Sequence, residues 1–148
     1  MGIVAAINRF NQARPWSHNN FYHRWILRQL PRSVSSALDV GCGSGDLVAL
    51  LAARSASVLG VDRAAVIENA RPLPNVRYVH ADVFDLPEDR YDVITCVAAL
   101  HHLPLEQALA TFRRWLAPGG TLVVIGLAAP TVADYLMMLV ATPANMLI

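Results

Sequence analysis

At 148 residues the chain has the length of one compact domain, so a single domain is expected and a two-domain enzyme is not. A hydrophobic share of 55% against 16% charged residues supplies a buried core and excludes intrinsic disorder. A formal net charge of +1 argues against a nucleic-acid partner, because binding by counterion release needs a strong basic excess on one face.

The first apolar run, Ile3 to Ile7, is shorter than the roughly 7–15 residues of a signal-peptide core, and Ala6 stands where a myristoylation pattern needs Ser or Thr. Cys42 and Cys96 are too few for a disulfide framework. Neither secretion nor a lipid anchor is expected, and a reducing cytoplasm is the expected location. Five of the twelve arginines precede the first acid, Asp39, and share that stretch with Phe10, Trp16, Phe21, Tyr22 and Trp25. An RNA or membrane surface would suit this composition, but a helix with a solvated basic face explains it more simply. Phe21, Tyr22, Trp25, Ile26 and Leu30 fall near helical spacing and Pro31 supplies a stop, which predicts a helix over 19–30 within an N-terminal helical cap, residues 1–36.

From residue 37 short apolar runs alternate with helical segments, the pattern of a parallel sheet covered on both faces. Strands are predicted at 37–40, 57–61, 76–80, 91–97 and 121–125, and helices at 45–53, 64–70 and 105–116. Pro118-Gly119-Gly120 reads as the turn into the fifth strand, and a further helix is predicted at 132–140. Asp134 is the only charged residue after Arg114, but Pro130 and Pro143 leave no interval of the roughly 20 apolar residues a spanning helix needs, so stable membrane insertion is not expected.

Leu38-Asp39-Val40-Gly41-Cys42-Gly43-Ser44-Gly45-Asp46 joins the first strand to the first helix of the sheet. Its glycines permit a tight turn and close approach of a ligand to backbone N–H groups, although an ordinary strand-to-helix turn would use them too. The spacing is G-x-G-x-G, and Asp46 occupies the place where a dinucleotide fingerprint needs its last glycine. Asp39 and Asp46 would repel a pyrophosphate and favour a cationic ligand. Asp62 ends the second strand, where a carboxylate can accept from both hydroxyls of a ribose or simply cap a turn. Asp82, with Val83 and Phe84, can pair an adenine amino group and pack its ring, or cap a turn of its own.

These segments, followed by Tyr91-Asp92-Val93-Ile94, Leu100-His101-His102-Leu103 and Leu116-Ala117-Pro118-Gly119-Gly120, resemble class I S-adenosylmethionine-dependent methyltransferases, especially the small-molecule branch, over about residues 18–140. The resemblance implies a Rossmann-like α/β sheet of order 3-2-1-4-5 with helices on both faces, and a methyltransferase domain over 37–148. It implies that the cofactor S-adenosylmethionine is held by Asp39, Gly41, Cys42, Gly43 and Gly45 at its methionine end and by Asp62 at the ribose. Asp82 and Val83 would meet the adenine, with Val97 and Tyr22 also in contact. Arg63 departs from the family, which more often has an aliphatic residue against the adenine; its methylene stem can substitute. Trp16, Ser17, His18, Asn19 and Tyr22 resemble a segment that closes over the cofactor, or pack as a plain helix.

The implied reaction is an in-line displacement that carries the methyl group to a small-molecule acceptor and releases S-adenosylhomocysteine. His101 and His102, just past the fourth strand, are the candidate catalytic residues on the acceptor side: either can take a proton or orient the acceptor, or cap the helix at Leu105 and pack. The apolar segment 132–139 suggests an apolar acceptor, although Met and Leu at helical spacing also build cores. No metal site is expected. Family members have seven strands and only five are predicted here, so strands six and seven are expected to be missing, leaving Thr121-Leu122-Val123-Val124-Ile125 as an edge prone to self-association. Two competing readings are a binding-only methyltransferase fragment and, less favoured, a nicotinamide-dependent oxidoreductase.

Overall fold

The computed structural model describes residues 18–126. Five parallel strands form one sheet: β1 Val34–Val40, β2 Ser55–Asp62, β3 Val76–His80, β4 Tyr91–Val97 and β5 Leu116–Ile125, in the order β3-β2-β1-β4-β5. The helices are α1 His18–Gln29, α2 Asp46–Ala52 and α3 Leu105–Trp115. This is the expected architecture.

The strands are apolar at consecutive positions because both faces of the sheet are covered. Side chains alternate across a strand, so Ala37, Val58 and Val93 enter one core with Ile26 of α1, Leu30 just after it, and Leu47, Val48 and Leu51 of α2. Their neighbours Leu38, Leu59 and Ile94 enter the other core with Ala108, Phe112 and Trp115 of α3. Phe112 and Trp115 are fully or almost fully buried, and each such side chain contributes about 1.5–3 kcal/mol by leaving water. Truncating either ring to alanine should cost about 3–5 kcal/mol of stability.

Three expectations need correction. The segment 64–70 forms a short 3₁₀ turn, Ala65–Asn69, instead of an α-helix, because Pro72 and Pro74 follow too closely for further turns to close. β1 and β2 begin at Val34 and Ser55, ahead of their expected starts. In β1, Asp92 Oδ2 accepts from the Ser35 and Ser36 N–H groups at 2.7 and 3.1 Å, and the start of β2 pairs with this extension, Ser55 with Val34 and Ser57 with Ser36. Finally, α3 stops at Trp115, and β5 begins at Leu116 with Pro118-Gly119-Gly120 inside it as a bulge. Pairing jumps there from Tyr91 with Leu116 to Val93 with Thr121, and Gly119 takes φ 77°. β5 forms one edge of the described sheet. The expected helix at 132–140, the apolar segment within it, and Trp16 and Ser17 lie outside the described residues.

Candidate active site

Strand order reverses between β1 and β4, the place where an open α/β sheet parts its crossovers and leaves a crevice at its carboxyl edge. A cavity of about 640 Å³ opens there, walled by Val40 and Gly41 at the end of β1, Val61 to Ala64 at the end of β2, Ala81 and Val83 after β3, and Ala98, Ala99, His102 and Leu103 after β4.

The loop after β1 is shaped by its backbone. Gly41, Gly43 and Gly45 take φ values of 74°, 54° and 85°. A Cβ on Gly41 would stand 2.2 Å from the Ala99 Cβ, and one on Gly45 would stand 2.5 Å from the Tyr78 hydroxyl, so both positions need glycine for space as well as for conformation. The Gly41 and Cys42 N–H groups donate to the Val61 carbonyl at 2.9 and 3.1 Å, and the Gly43 N–H donates to Asp62 Oδ2 at 2.8 Å. The loop is thus stitched to the end of β2.

Asp39 is 2% exposed and accepts a 2.6 Å hydrogen bond from the Thr95 hydroxyl of β4. Burial pushes its pKa up to about 7, the Thr95 hydrogen bond opposes this, and the nearby Asp62 charge adds to it. Burial likewise pushes the Cys42 and Cys96 thiols up to about 12, so both stay protonated and unreactive. Asp62 serves the turn as well as the cavity: Oδ1 accepts from the Ala64 N–H at 2.7 Å while Oδ2 holds Gly43. Asp82 caps the turn Val83–Asp85 by accepting from the Phe84 N–H at 3.1 Å, and its Oδ2 lies 3.5 Å from Arg63 Nη1. Each carboxylate oxygen keeps a second lone pair for a ligand.

His101 and His102 lie on the 3₁₀ turn Leu100–His102 with ring centroids 3.8 Å apart. Both are exposed, and only His102 lines the cavity. Neither caps α3, whose first turn follows Pro104 without a side-chain cap. Ala98, at φ 53°, is the one non-glycine residue with positive φ among the described residues, and its N–H donates to the Ile125 carbonyl at 2.7 Å. That turn of the chain aims Ala98 and Ala99 at the cavity beside Gly41.

The cavity wall therefore brings together Gly41, Asp62, Arg63, Val83 and His102 of the expected residues. Gly43 and Gly45 complete the loop, Asp39 and Cys42 are buried beneath it, and Asp82 stands beside Val83, joined to Arg63. Val97 packs against the α2 side of the core, and Tyr22 is exposed on α1; neither lines this cavity.

Four residues escaped the sequence reading. Thr95 is a fully buried polar residue in the middle of β4, and Tyr78 fills the space left by Gly45 and Gly60 with its hydroxyl buried and without a hydrogen-bond partner among the described residues. Ala99 interlocks with Gly41. His23 of α1 is 5% exposed, and burial lowers its pKa against the pull of the Asp46 charge. An aromatic paired in register with a glycine, as Tyr78 is with Gly60, is the signal that could have revealed the packing under the loop.

The profile of a family described as methyltransferase domain matches residues 38–124. The chain is 34% identical over 128 residues to an uncharacterized methyltransferase of Mycobacterium tuberculosis, covering 82% of this chain and 65% of that protein. It is 38% identical over 100 residues to trans-aconitate 2-methyltransferase of Deinococcus radiodurans, covering 63% of this chain and 38% of that one. The chain thus spans less than two thirds of either relative's length. Among solved structures, the N-methyltransferase NodS from Bradyrhizobium japonicum in complex with S-adenosyl-L-homocysteine has TM-score 0.64 at 23% identity, covering 71% of this chain and 60% of that one, a likeness of fold.

Proposed function

From a chain that belongs to the methyltransferase domain family, we infer an S-adenosylmethionine-dependent enzyme that methylates a small-molecule acceptor. The observation that carries this reading is the glycine loop: three left-handed glycines, tied to the end of β2, open on a cavity at the switch point of the sheet.

The residues present fit an adenosyl ligand with a cationic sulfonium. The place a Cβ would fill at Gly43 is open to close backbone approach, and Asp62, with Asp39 when ionised, sets a negative potential around the loop. Asp62 takes ribose hydroxyls through its remaining lone pairs, while Asp82 and the Val83 backbone meet the adenine. S-adenosylmethionine supplies, when bound, the electrophilic methyl group. The chain's own residues then act mainly by orientation, since holding two reactants in line is worth effective molarities of about 10⁵–10⁸ M. His102 holds the acceptor on the cavity's far wall. Among the described residues no carboxylate hydrogen-bonds its ring, and a general base is ordinarily oriented by such a third group, so His102 is assigned to positioning. Self-association through β5, an edge of the described sheet, belongs to the same proposal and is read by light scattering.

Calorimetric titration tests the reading. S-adenosylhomocysteine should bind in the micromolar range and NADH should not bind; strong NADH binding with a silent adenosyl ligand would reverse the assignment. A screen of phenols, quinones, amines and carboxylates for release of S-adenosylhomocysteine then identifies the acceptor class. The same titration without release for any acceptor would favour a binding role alone.

A further inference from the structure

Arg63 lines the cavity one residue after Asp62, and its guanidinium Nη1 lies 3.5 Å from Asp82 Oδ2. The two residues follow neighbouring strands, in which Asp62 and His80 are register partners, so the side chains meet at the carboxyl edge of the sheet. Both are anchored from behind. The His80 ring Nε2–H donates to the Arg63 carbonyl at 3.0 Å, and Asp82 Oδ1 is occupied by the Phe84 N–H. The contact therefore leaves Asp82 Oδ2 with a free lone pair and the guanidinium with most of its five donors unspent.

A donor group on the cavity lining and an acceptor beside the lining residue Val83 consequently stand side by side. A carboxylate alone would accept from an amino group on a ligand and repel a carbonyl oxygen at the same place. A carboxylate beside a guanidinium can satisfy either. Resting on the reading above, in which Asp82 meets the base of an adenosyl ligand, we propose that Arg63 is a specificity-determining residue: it opens the base end of the cavity to purines carrying an oxo group at position 6 as well as to those carrying an amino group. Its side chain is 64% exposed, so it has room to turn from Asp82 toward either ligand, and its replacement leaves the core untouched.

The test is calorimetry of S-adenosylhomocysteine and S-inosylhomocysteine against the unsubstituted chain, Arg63→Leu and Arg63→Lys, with thermal unfolding of each. The unsubstituted chain should prefer the adenosyl ligand by less than about tenfold, and Arg63→Leu should widen that preference by about tenfold or more, chiefly through weaker inosyl binding. Arg63→Lys keeps a cationic donor and should hold the ratio within about threefold of the unsubstituted chain. An Arg63→Leu ratio equal to that of the unsubstituted chain, or an equal weakening of both ligands, overturns the inference while adenosyl binding keeps the underlying reading intact. Failure of S-adenosylhomocysteine to bind the unsubstituted chain overturns that reading itself.

Discussion

The turns that follow β1 and β4 face each other across one cavity and are built in opposite ways. The first is made of backbone: positive-φ glycines, N–H groups anchored on Val61 and Asp62, and a buried carboxylate beneath. The second presents side chains, with His101 and His102 exposed on a short 3₁₀ turn. A ligand common to a whole family can be met by a stiff, dry backbone cradle, whereas an acceptor that varies between members is met by exposed side chains that cost little to change. The two turns touch at one point, Gly41 against Ala99, where that difference can be tested.

The largest effect is expected there. Gly41→Ala places a methyl group against Ala99 at a backbone conformation unfavourable to alanine, and should cost about 2 kcal/mol or more in denaturant unfolding and about a hundredfold in S-adenosylhomocysteine affinity. Adding Ala99→Gly should restore part of both losses. Next, Asp62→Ala removes the acceptor of the Gly43 and Ala64 N–H groups and should weaken the adenosyl ligand about tenfold or more; unchanged affinity would reject its ribose role.

Asp39→Asn sharpens the comparison through pH. The Asp39 carboxyl rises from 3.8 to about 7 on folding, so the native state binds its proton more tightly than the unfolded chain, and its contribution falls as pH rises from about 4 to 7. Asparagine keeps an acceptor for Thr95 without the charge. It should therefore raise stability at pH 8 by about 1–3 kcal/mol, change little near pH 4, and weaken a cationic ligand. Equal effects at both pH values would contradict the buried, proton-holding state. The smallest effect on affinity falls on the other turn: His102→Ala should lower turnover about tenfold while cofactor affinity stays within about twofold, and His101→Ala should leave both within about twofold.

The sheet was legible because parallel strands buried on both faces are written as continuous apolar runs, as in Val93-Ile94 and Val58-Leu59. The glycine loop was legible because its chemistry is local. What depended on distant partners was not. Ser35 and Ser36 read as loop residues until Asp92 supplies their N–H groups with an acceptor. The bulge at Pro118-Gly119-Gly120 depends on pairing with β4. Nothing local ties Arg63 to Asp82 or Thr95 to Asp39, since each pair forms only when separate strands meet. The histidine pair was legible as a pair, but which ring reaches the cavity is decided by the backbone turn at Ala98.

An adenosyl ligand is expected in the cradle after β1. Backbone amide chemical-shift mapping of the ¹⁵N-labelled chain during titration with S-adenosylhomocysteine reads it most directly. The largest shifts should fall on Gly41, Cys42, Gly43, Asp62 and Val83, with smaller ones at Ala99 and His102. Saturable shifts confined to residues away from the carboxyl ends of β1, β2 and β3 would contradict it.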